Sequence, residues 1–189
     1  NKKENDTKVI VAMSGGVDSS VAAVKLKMEG YDVTGVTLRL YNQPNSSKSK
    51  SCCAGIDIND AKKVAEQFNF PHKVLDYQDK FFNGVISNFV DSYANGETPV
   101  PCIQCNQTVK FSDLLEESKN LNADALVTGH YAIRKGGVKE SKLYMAKDKT
   151  KDQSYFLFAT LQDQLDYVRF PLGNYLKSEI RQMANDYNL

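Results

Sequence analysis

Val9-Ile10-Val11-Ala12-Met13-Ser14-Gly15-Gly16-Val17-Asp18-Ser19-Ser20 decides the reading of this chain. Val9 to Met13 is a continuous apolar run rich in β-branched residues, the pattern of a strand buried on both faces of a parallel sheet. Gly15 and Gly16 then let the backbone turn tightly and approach a ligand with no Cβ in the way. A helix-like stretch follows directly. The hydroxyls of Ser14, Ser19 and Ser20 and the N–H groups of the helix start converge where the dipole favours an anion. Strand, turn, acid and helix fall in order, so the segment reads as a pyrophosphate loop rather than a serine-capped turn. No Gly-Lys-Ser/Thr follows the glycines, and the spacing is not Gly-x-Gly-x-x-Gly, which excludes the Walker A and dinucleotide loops. Asp18 reads as a participant in Mg²⁺ and phosphate binding, against the plainer reading of an acid favoured by the helix start.

At 189 residues the chain suffices for one α/β domain with a full core, and residues 1–189 are read as a single nucleotide-binding and catalytic unit. Hydrophobic residues make up 41% and charged ones 25%, ordinary for a globular protein. No apolar run approaches the roughly 20 residues that span a bilayer, so no membrane partner is expected. The first residues lack the apolar stretch of a secretory signal. The net charge of +1 gives no global pull toward nucleic acid, so any RNA contact must use a local patch. The chain stops at the end of a helix-like stretch, which reads as a piece of something longer.

Strand patterns at Tyr31–Tyr41, His72–Tyr77 and Ala125–Thr128 alternate with helix patterns at Ser19–Glu29, from Asp57, at Asp79–Asn95 and from Asn106. Asn42–Ser51 reads as a flexible loop and Gly96–Gln104 as a proline-rich one. Leu143–Ala146 reads as a short strand, Gln153–Thr160 as a helix and Lys177–Asn188 as the final helix. The alternation implies a doubly wound parallel sheet with ligands at the carboxyl ends of its strands, where Ser14 and Gly129 both fall. His72, inside a strand, reads as structural. His130 is read equally as a proton carrier or as a group that orients its loop. Tyr155, Phe156, Leu157 and Phe158 read as core.

Four cysteines occur, Cys52-Cys53 and the Cys-x-x-Cys of Cys102 and Cys105, a usage that suits a reducing cytoplasm. Cys105 precedes an expected helix start, where the dipole favours thiolate, so it reads first as a nucleophile or sulfur carrier. A metal or iron–sulfur site drawing on Cys52, Cys53, Cys102 and Cys105 competes with that, and so does plain packing. For Cys102 the ligand, redox and packing readings stand level. Lys147, Lys149 and Lys151 form a basic stretch beside Asp152-Gln153, read as a phosphate contact over a merely solvated face.

The loop resembles the PP-loop of the ATP pyrophosphatases, which cleave ATP between the α and β phosphates. The chain from Lys8 to Leu189 is similar to the N-terminal half of the tRNA-specific 2-thiouridylases, the MnmA/TrmU family. That likeness rests on Ala12–Ser20, on Thr98-Pro99-x-Pro101 with Cys105-Asn106 and Lys110-Phe111, on Thr128-Gly129-His130-Tyr131, and on Lys151 to Leu157. It implies an adenine nucleotide alpha hydrolase-like fold. It makes Cys105 the first catalytic cysteine, and Ala12, Met13, Ser14, Gly15, Gly16, Val17, Asp18, Ser19, Leu38 and Gly129 the ATP-binding positions. Val100, Pro101 and Cys102 would face the target uridine, and Lys151, Asp152 and Gln153 would touch tRNA. Many members carry an acid at the Cys102 position, so a role for that acid does not carry over. The family's second catalytic cysteine and its later tRNA-holding domains lie beyond residue 189.

The implied reaction is ATP-dependent 2-thiolation of the wobble uridine of tRNA. The C2 oxygen is adenylated with release of pyrophosphate, charge being neutralised by Mg²⁺. Sulfur from a cysteine persulfide then gives 2-thiouridine and AMP. Cys105 either frees that sulfur by attacking the persulfide or forms a disulfide afterwards. The target base must leave the anticodon stack. A sulfur-relay protein or cysteine desulfurase is the implied partner, in the cytoplasm. Rival readings are an iron–sulfur-dependent tRNA thiolase, an amidating synthetase, and a nucleotide-binding module without catalysis.

Overall fold

The apolar run at Val9 forms the middle of a parallel sheet in this computed structural model, which describes residues 3–40, 55–137 and 139–189. The strands are β1 (Lys8–Ala12), β2 (Asp32–Arg39), β3 (His72–Asp76), β4 (Ala125–Thr128), β5 (Ala132–Lys135), β6 (Lys142–Met145) and β7 (Val168–Arg169). Five of them make the sheet in the order β3-β2-β1-β4-β7, every neighbouring pair parallel. β5 and β6 form a separate antiparallel pair. Ile10 packs on one face among Val36, Leu126, Phe111 and Leu114. Val9, Val11 and Met13 pack on the other among Ala61, Ala65, Phe70 and Val127. Burial on both faces is why the run is unbroken by polar residues.

The helices are α1 (Val17–Met28), α2 (Gly55–Gln67), α3 (Gln78–Phe81), α4 (Ser87–Ala94), α5 (Pro101–Cys105), α6 (Leu114–Asn120), α7 (Gln162–Tyr167) and α8 (Lys177–Asp186). The architecture is the expected doubly wound α/β fold. From β1 the chain builds β2 and β3 to one side, then β4 and β7 to the other. The connections therefore diverge above the carboxyl ends of β1 and β4, whose last residues Ala12 and Thr128 are paired. Such a switch point is where open sheets of this kind bind ligands.

Several expectations change. The helix expected over 79–95 is α3, a π-helical turn at Phe82–Ile86 and α4. A π-turn inserts a residue and rotates the face that follows it. Of its expected apolar stripe Val85 is buried, whereas Phe82, Phe89, Val90 and Tyr93 are exposed. The proline-rich loop ends early, because Pro101 starts α5 with its φ already suited to a first helical position. Asn106 is consequently not a cap. It opens a π-helical stretch, Asn106–Asp113, that continues α5 into α6. The stretch expected as a helix at 153–160 holds only a 3₁₀ turn at Ser154–Leu157. In it Leu157 is buried, but Tyr155 and Phe158 are 60% and 72% exposed, so the expected core assignment holds for Leu157 and fails for those two rings. β5, α7 and β7 carried no signal that the sequence reading used. Cys52, Cys53 and the loop expected at 42–51 lie outside the described residues.

Candidate active site

The Ser14–Ser20 loop leaves β1 at the switch point and enters α1 with Gly16 as its N-cap. Gly15 adopts φ +77°, and a Cβ there would sit 2.1 Å from the Asp57 carbonyl oxygen at the start of α2. Both facts demand glycine. The Ser19 hydroxyl donates to the Gly16 carbonyl at 3.0 Å and accepts from the Ser14 N–H at 3.1 Å. It thereby stiffens the turn from inside. The first helical bond runs from Ser20 N–H to Gly16 C=O at 3.2 Å, so the N–H groups of Val17, Asp18 and Ser19 precede the ladder and face the anion position.

The end of β4 joins this loop to the cysteines. At Gly129 a Cβ would lie 3.0 Å from Ser19 N, so the absence of a side chain lets the strand end press against the first turn of α1. Next in sequence, His130 accepts or donates one hydrogen bond with Thr128 Oγ1 through Nδ1 at 2.8 Å. Its ring packs 6.1 Å from Phe111 and 6.3 Å, edge-on, from Phe170. Phe111 belongs to the helical stretch that carries the cysteines. The next residue, Tyr131, donates its phenol O–H to Asp18 Oδ1 at 2.8 Å. Burial first, and then the Asp18 carboxylate, raise the Tyr131 phenol far above its ordinary range, so it stays a donor.

Cys105 is half-buried at the end of α5 and packs against the cluster that contains Leu38, Leu126 and Phe111, with Ala12 on the same side. It stands one turn inside a helix that begins at Pro101, not before a helix start. Of the two cysteines Cys102 stands nearer the N-terminus of α5, as its second residue, and it is exposed. Val100, the N-cap, is exposed too, so the segment Val100-Pro101-Cys102 presents an open surface. Asn106 is buried. Its Nδ2 donates to the Phe156 carbonyl at 3.2 Å, tying the cysteine helix to the 154–157 turn, while its Oδ1 has no hydrogen-bond partner among the described residues.

Comparison with known proteins adds family to geometry. A profile described as the tRNA methyl transferase HUP domain matches residues 7–189. The chain belongs to that family. It is 55% identical over 190 residues to the tRNA-specific 2-thiouridylase MnmA of Dinoroseobacter shibae, covering 100% of this chain and 50% of the relative. With the protein of that name from Brucella canis it is 54% identical, covering 99% of this chain and 47% of the relative. The chain thus spans about half the length of these curated relatives. Among solved structures, one named as a predicted subunit of tRNA methyltransferase from Methanocaldococcus jannaschii superposes with TM-score 0.59 at 20% identity, covering 95% of this chain and 74% of that one. At that identity the likeness speaks for the fold.

Within this family fold, the residues expected from sequence divide by what holds them. Ala12, the loop residues Ser14 to Ser19, and Gly129 come together at the switch point, while Met13 turns to the opposite face of the sheet and Leu38 is buried in the core beneath Cys105. Asp152 and Gln153 are engaged internally. Asp152 accepts from Ala146 N–H at 2.7 Å and from the Ser154 hydroxyl at 2.7 Å, and Gln153 exchanges two bonds with the Tyr131 backbone at 2.8 and 3.0 Å. They hold the 152–157 segment against the strand end that carries His130. Lys151 is exposed. His72 pairs with Thr37 Oγ1 at 2.8 Å on the edge of the sheet, as its structural reading expects.

Sequence reasoning missed Lys177. Its Nζ donates to both Asp18 oxygens, at 2.5 and 2.7 Å, and lies 5.4 Å from the centre of the Tyr131 ring. One signal was available: Lys177 is the first residue of α8, where the helix dipole disfavours a cation, so a carboxylate partner was called for. Among the described residues no cluster of three or more His, Cys, Asp or Glu forms a metal centre. No helix among them is long and apolar enough to cross a membrane.

Proposed function

We propose that this chain is the ATP-binding and first-cysteine part of an enzyme that 2-thiolates the wobble uridine of tRNA. The observation that carries the reading is the tripeptide Gly129-His130-Tyr131. Its three residues touch, in turn, the phosphate loop, the helix bearing Cys105, and Asp18. A site for ATP and a site for a sulfur nucleophile are therefore built against one strand end, as adenylation followed by sulfur transfer requires. ATP fits the loop because glycines and unpaired N–H groups line it. Mg²⁺ would be held through Asp18, the one carboxylate in Ser14–Ser20, and would neutralise the leaving pyrophosphate.

In this reading the C2 oxygen of uridine attacks the α-phosphate and pyrophosphate leaves into the loop. A persulfide supplied by a sulfur-relay partner or cysteine desulfurase provides the sulfur that displaces AMP. That persulfide is carried on the second cysteine expected beyond residue 189. The Cys105 thiolate attacks its inner sulfur, forming a disulfide with that cysteine and releasing the outer sulfur as hydrosulfide, which attacks C2 and displaces AMP. His130, locked by Thr128 and two rings, orients the strand end rather than carrying protons. Val100, Pro101 and Cys102 face the base, and Lys151 meets the tRNA backbone. Asp152 and Gln153 shape that contact from beneath. The relatives' thiouridylase names and the cysteine at the site favour thiolation over methyl transfer, the activity in the family's own description.

The test uses this chain extended to the length of its relatives, as parent and as Cys105→Ala. Each is incubated with unmodified tRNA, ATP-Mg²⁺ and a persulfide source, and the digested tRNA is read by mass spectrometry. The expected result is 2-thiouridine from the parent and a loss of at least about 10³-fold from Cys105→Ala. Equal product from both removes Cys105 from the chemistry. No thiouridine from the parent removes the reaction.

A further inference from the structure

The reaction proposed above uses one cysteine of the Cys-x-x-Cys and leaves it oxidised. Each round ends with Cys105 in a disulfide to the second cysteine, and no new round starts until that bond opens. Cys105 is poorly placed to meet a bulky reductant. It is half-buried against the cluster that contains Leu38, Leu126 and Phe111, and its neighbour Asn106 is tied to the Phe156 carbonyl at 3.2 Å. Cys102 is the opposite: it is exposed, and it stands three positions before Cys105 in the same helix. Residues at that spacing share a helix face. A rise of about 1.5 Å per residue at 3.6 residues per turn sets their Cα atoms about 5 Å apart, inside the roughly 4.4–6.8 Å that a disulfide spans. Their Cβ atoms, about 5–6 Å apart on a regular helix, must close to about 4 Å. The first turn of α5 has room to give that ångström. It opens on Pro101, which has no backbone N–H, and follows Val100, exposed and non-helical at φ −115°.

We propose that Cys102 is the resolving cysteine of this site, taking the Cys105 disulfide over from the second cysteine and presenting it at the surface. The inference rests on the reading of Cys105 as the nucleophile and gives the other half of the Cys-x-x-Cys its use. The Cys102 thiol loses its proton to solvent, and the thiolate attacks the Cys105 sulfur. A Cys102–Cys105 bond forms, the bond from Cys105 to the second cysteine breaks, and that cysteine leaves as a thiolate that takes up a proton. A thiol one helical turn away needs no encounter in solution, so this exchange outruns attack by a free reductant. A protein dithiol then attacks the exposed Cys102 sulfur, gives up two electrons and two protons to restore both thiols, and departs as a disulfide. The plainer alternative is an idle surface cysteine, with the reductant opening the Cys105 bond directly. The two differ in which disulfide accumulates when the reductant is withheld.

The experiment uses the chain extended to the length of its relatives, as parent and as Cys102→Ser, with unmodified tRNA, ATP-Mg²⁺ and a persulfide source. In the first arm no reductant is added, the reaction is stopped with N-ethylmaleimide, and disulfides are mapped by peptide mass spectrometry without reduction. The parent is expected to yield a Cys102–Cys105 disulfide and an alkylated second cysteine, and Cys102→Ser a Cys105 disulfide to the second cysteine. In the second arm reduced thioredoxin is present, and the steady rate of thiouridine formation is divided by the first-turnover burst of the same protein. That ratio is expected to fall at least about tenfold in Cys102→Ser and to recover when an excess of a small dithiol replaces thioredoxin. A parent that accumulates only the Cys105 bond to the second cysteine overturns the proposal, and so does an unchanged ratio in Cys102→Ser. Should Cys102→Ser lose its burst as well, the disulfide trapped in the parent decides. A parent in which Cys105 enters no disulfide at all defeats the reading of Cys105 as nucleophile, a result distinct from a Cys105 disulfide that never passes to Cys102.

Discussion

The loop after β1 and the helical arm that carries Cys105 meet across His130, yet they are held in different ways. The loop is fixed by bonds spanning three to five residues, Ser14 to Ser19 and Ser19 to Gly16, and by a glycine pressed against α2. The arm runs from residue 78 to 120 through two π-helical stretches. Its ties are long-range: the Lys80–Asp113 ion pair at 3.1 Å, Asn106 to Phe156, and Phe111 against His130. It leaves Phe82, Val90, Tyr93 and Val100 exposed. A pre-set loop suits a ligand that is always the same, ATP. A longer, more open arm suits a large substrate that brings contacts of its own.

The contrast can be broken at its stiffest point. Gly15→Ala combines a positive φ with a backbone clash, and should destabilise the chain by about 3 kcal/mol or more while abolishing ATP binding. Thermal melting with nucleotide titration checks this, and a stable variant that binds ATP would show the loop to be pliant. In the turn that Asn106 ties to the arm, Leu157→Ala should cost about 2–5 kcal/mol in denaturant unfolding. Tyr155→Ala and Phe158→Ala, two exposed neighbours, should stay within about 0.5 kcal/mol. Equal costs for all three would mean that the 154–157 turn buries its aromatic rings as well as its leucine.

How much of this was legible depends on the range of the signal. The run Val9–Met13, the Gly15-Gly16 turn and the helix after it announce themselves within twelve or so neighbouring residues, because strand period, glycine freedom and helix start are local physics. The arm did not. Its apolar residues keep helical spacing, but a π-turn at Phe82–Ile86 rotates the stripe, so Phe89 and Tyr93 stack on each other at 6.1 Å outside the core. Pro101 starts a helix inside a segment whose two prolines carry the signature of a loop. The use of Asp152 and Gln153 as internal struts was hidden, since polar residues at a basic stretch look the same whether they bond outward or inward. Lys177 was hidden by distance along the chain.

Smaller effects sharpen the picture. Cys102→Ala should leave the melting temperature within about 2 °C of the parent, because the side chain is exposed at the open end of α5. Any large loss of thiolation in that variant would then be chemical, not structural. The smallest effect is at the edge of the sheet. Burial, with Lys62 nearby, holds His72 below the usual histidine range. The unfolded chain therefore takes up this proton at a higher pH than the folded one. Stability from His72 is full above pH about 6.5 and falls as pH drops below it toward the folded value. His72→Gln should flatten that part of the profile, measured as urea midpoints from about pH 5 to 8.

The pairing of Asp18 with Lys177 also sets a schedule. A ribosome adding about 5–20 residues per second delivers the phosphate loop on the order of ten seconds before its lysine. Until α8 folds down on α1, Asp18 lacks the ammonium that bridges both of its oxygens. The first helix of the sheet thus reaches its final electrostatic setting only when a helix made much later packs on it, so α1 and α8 mature as a pair and not in chain order.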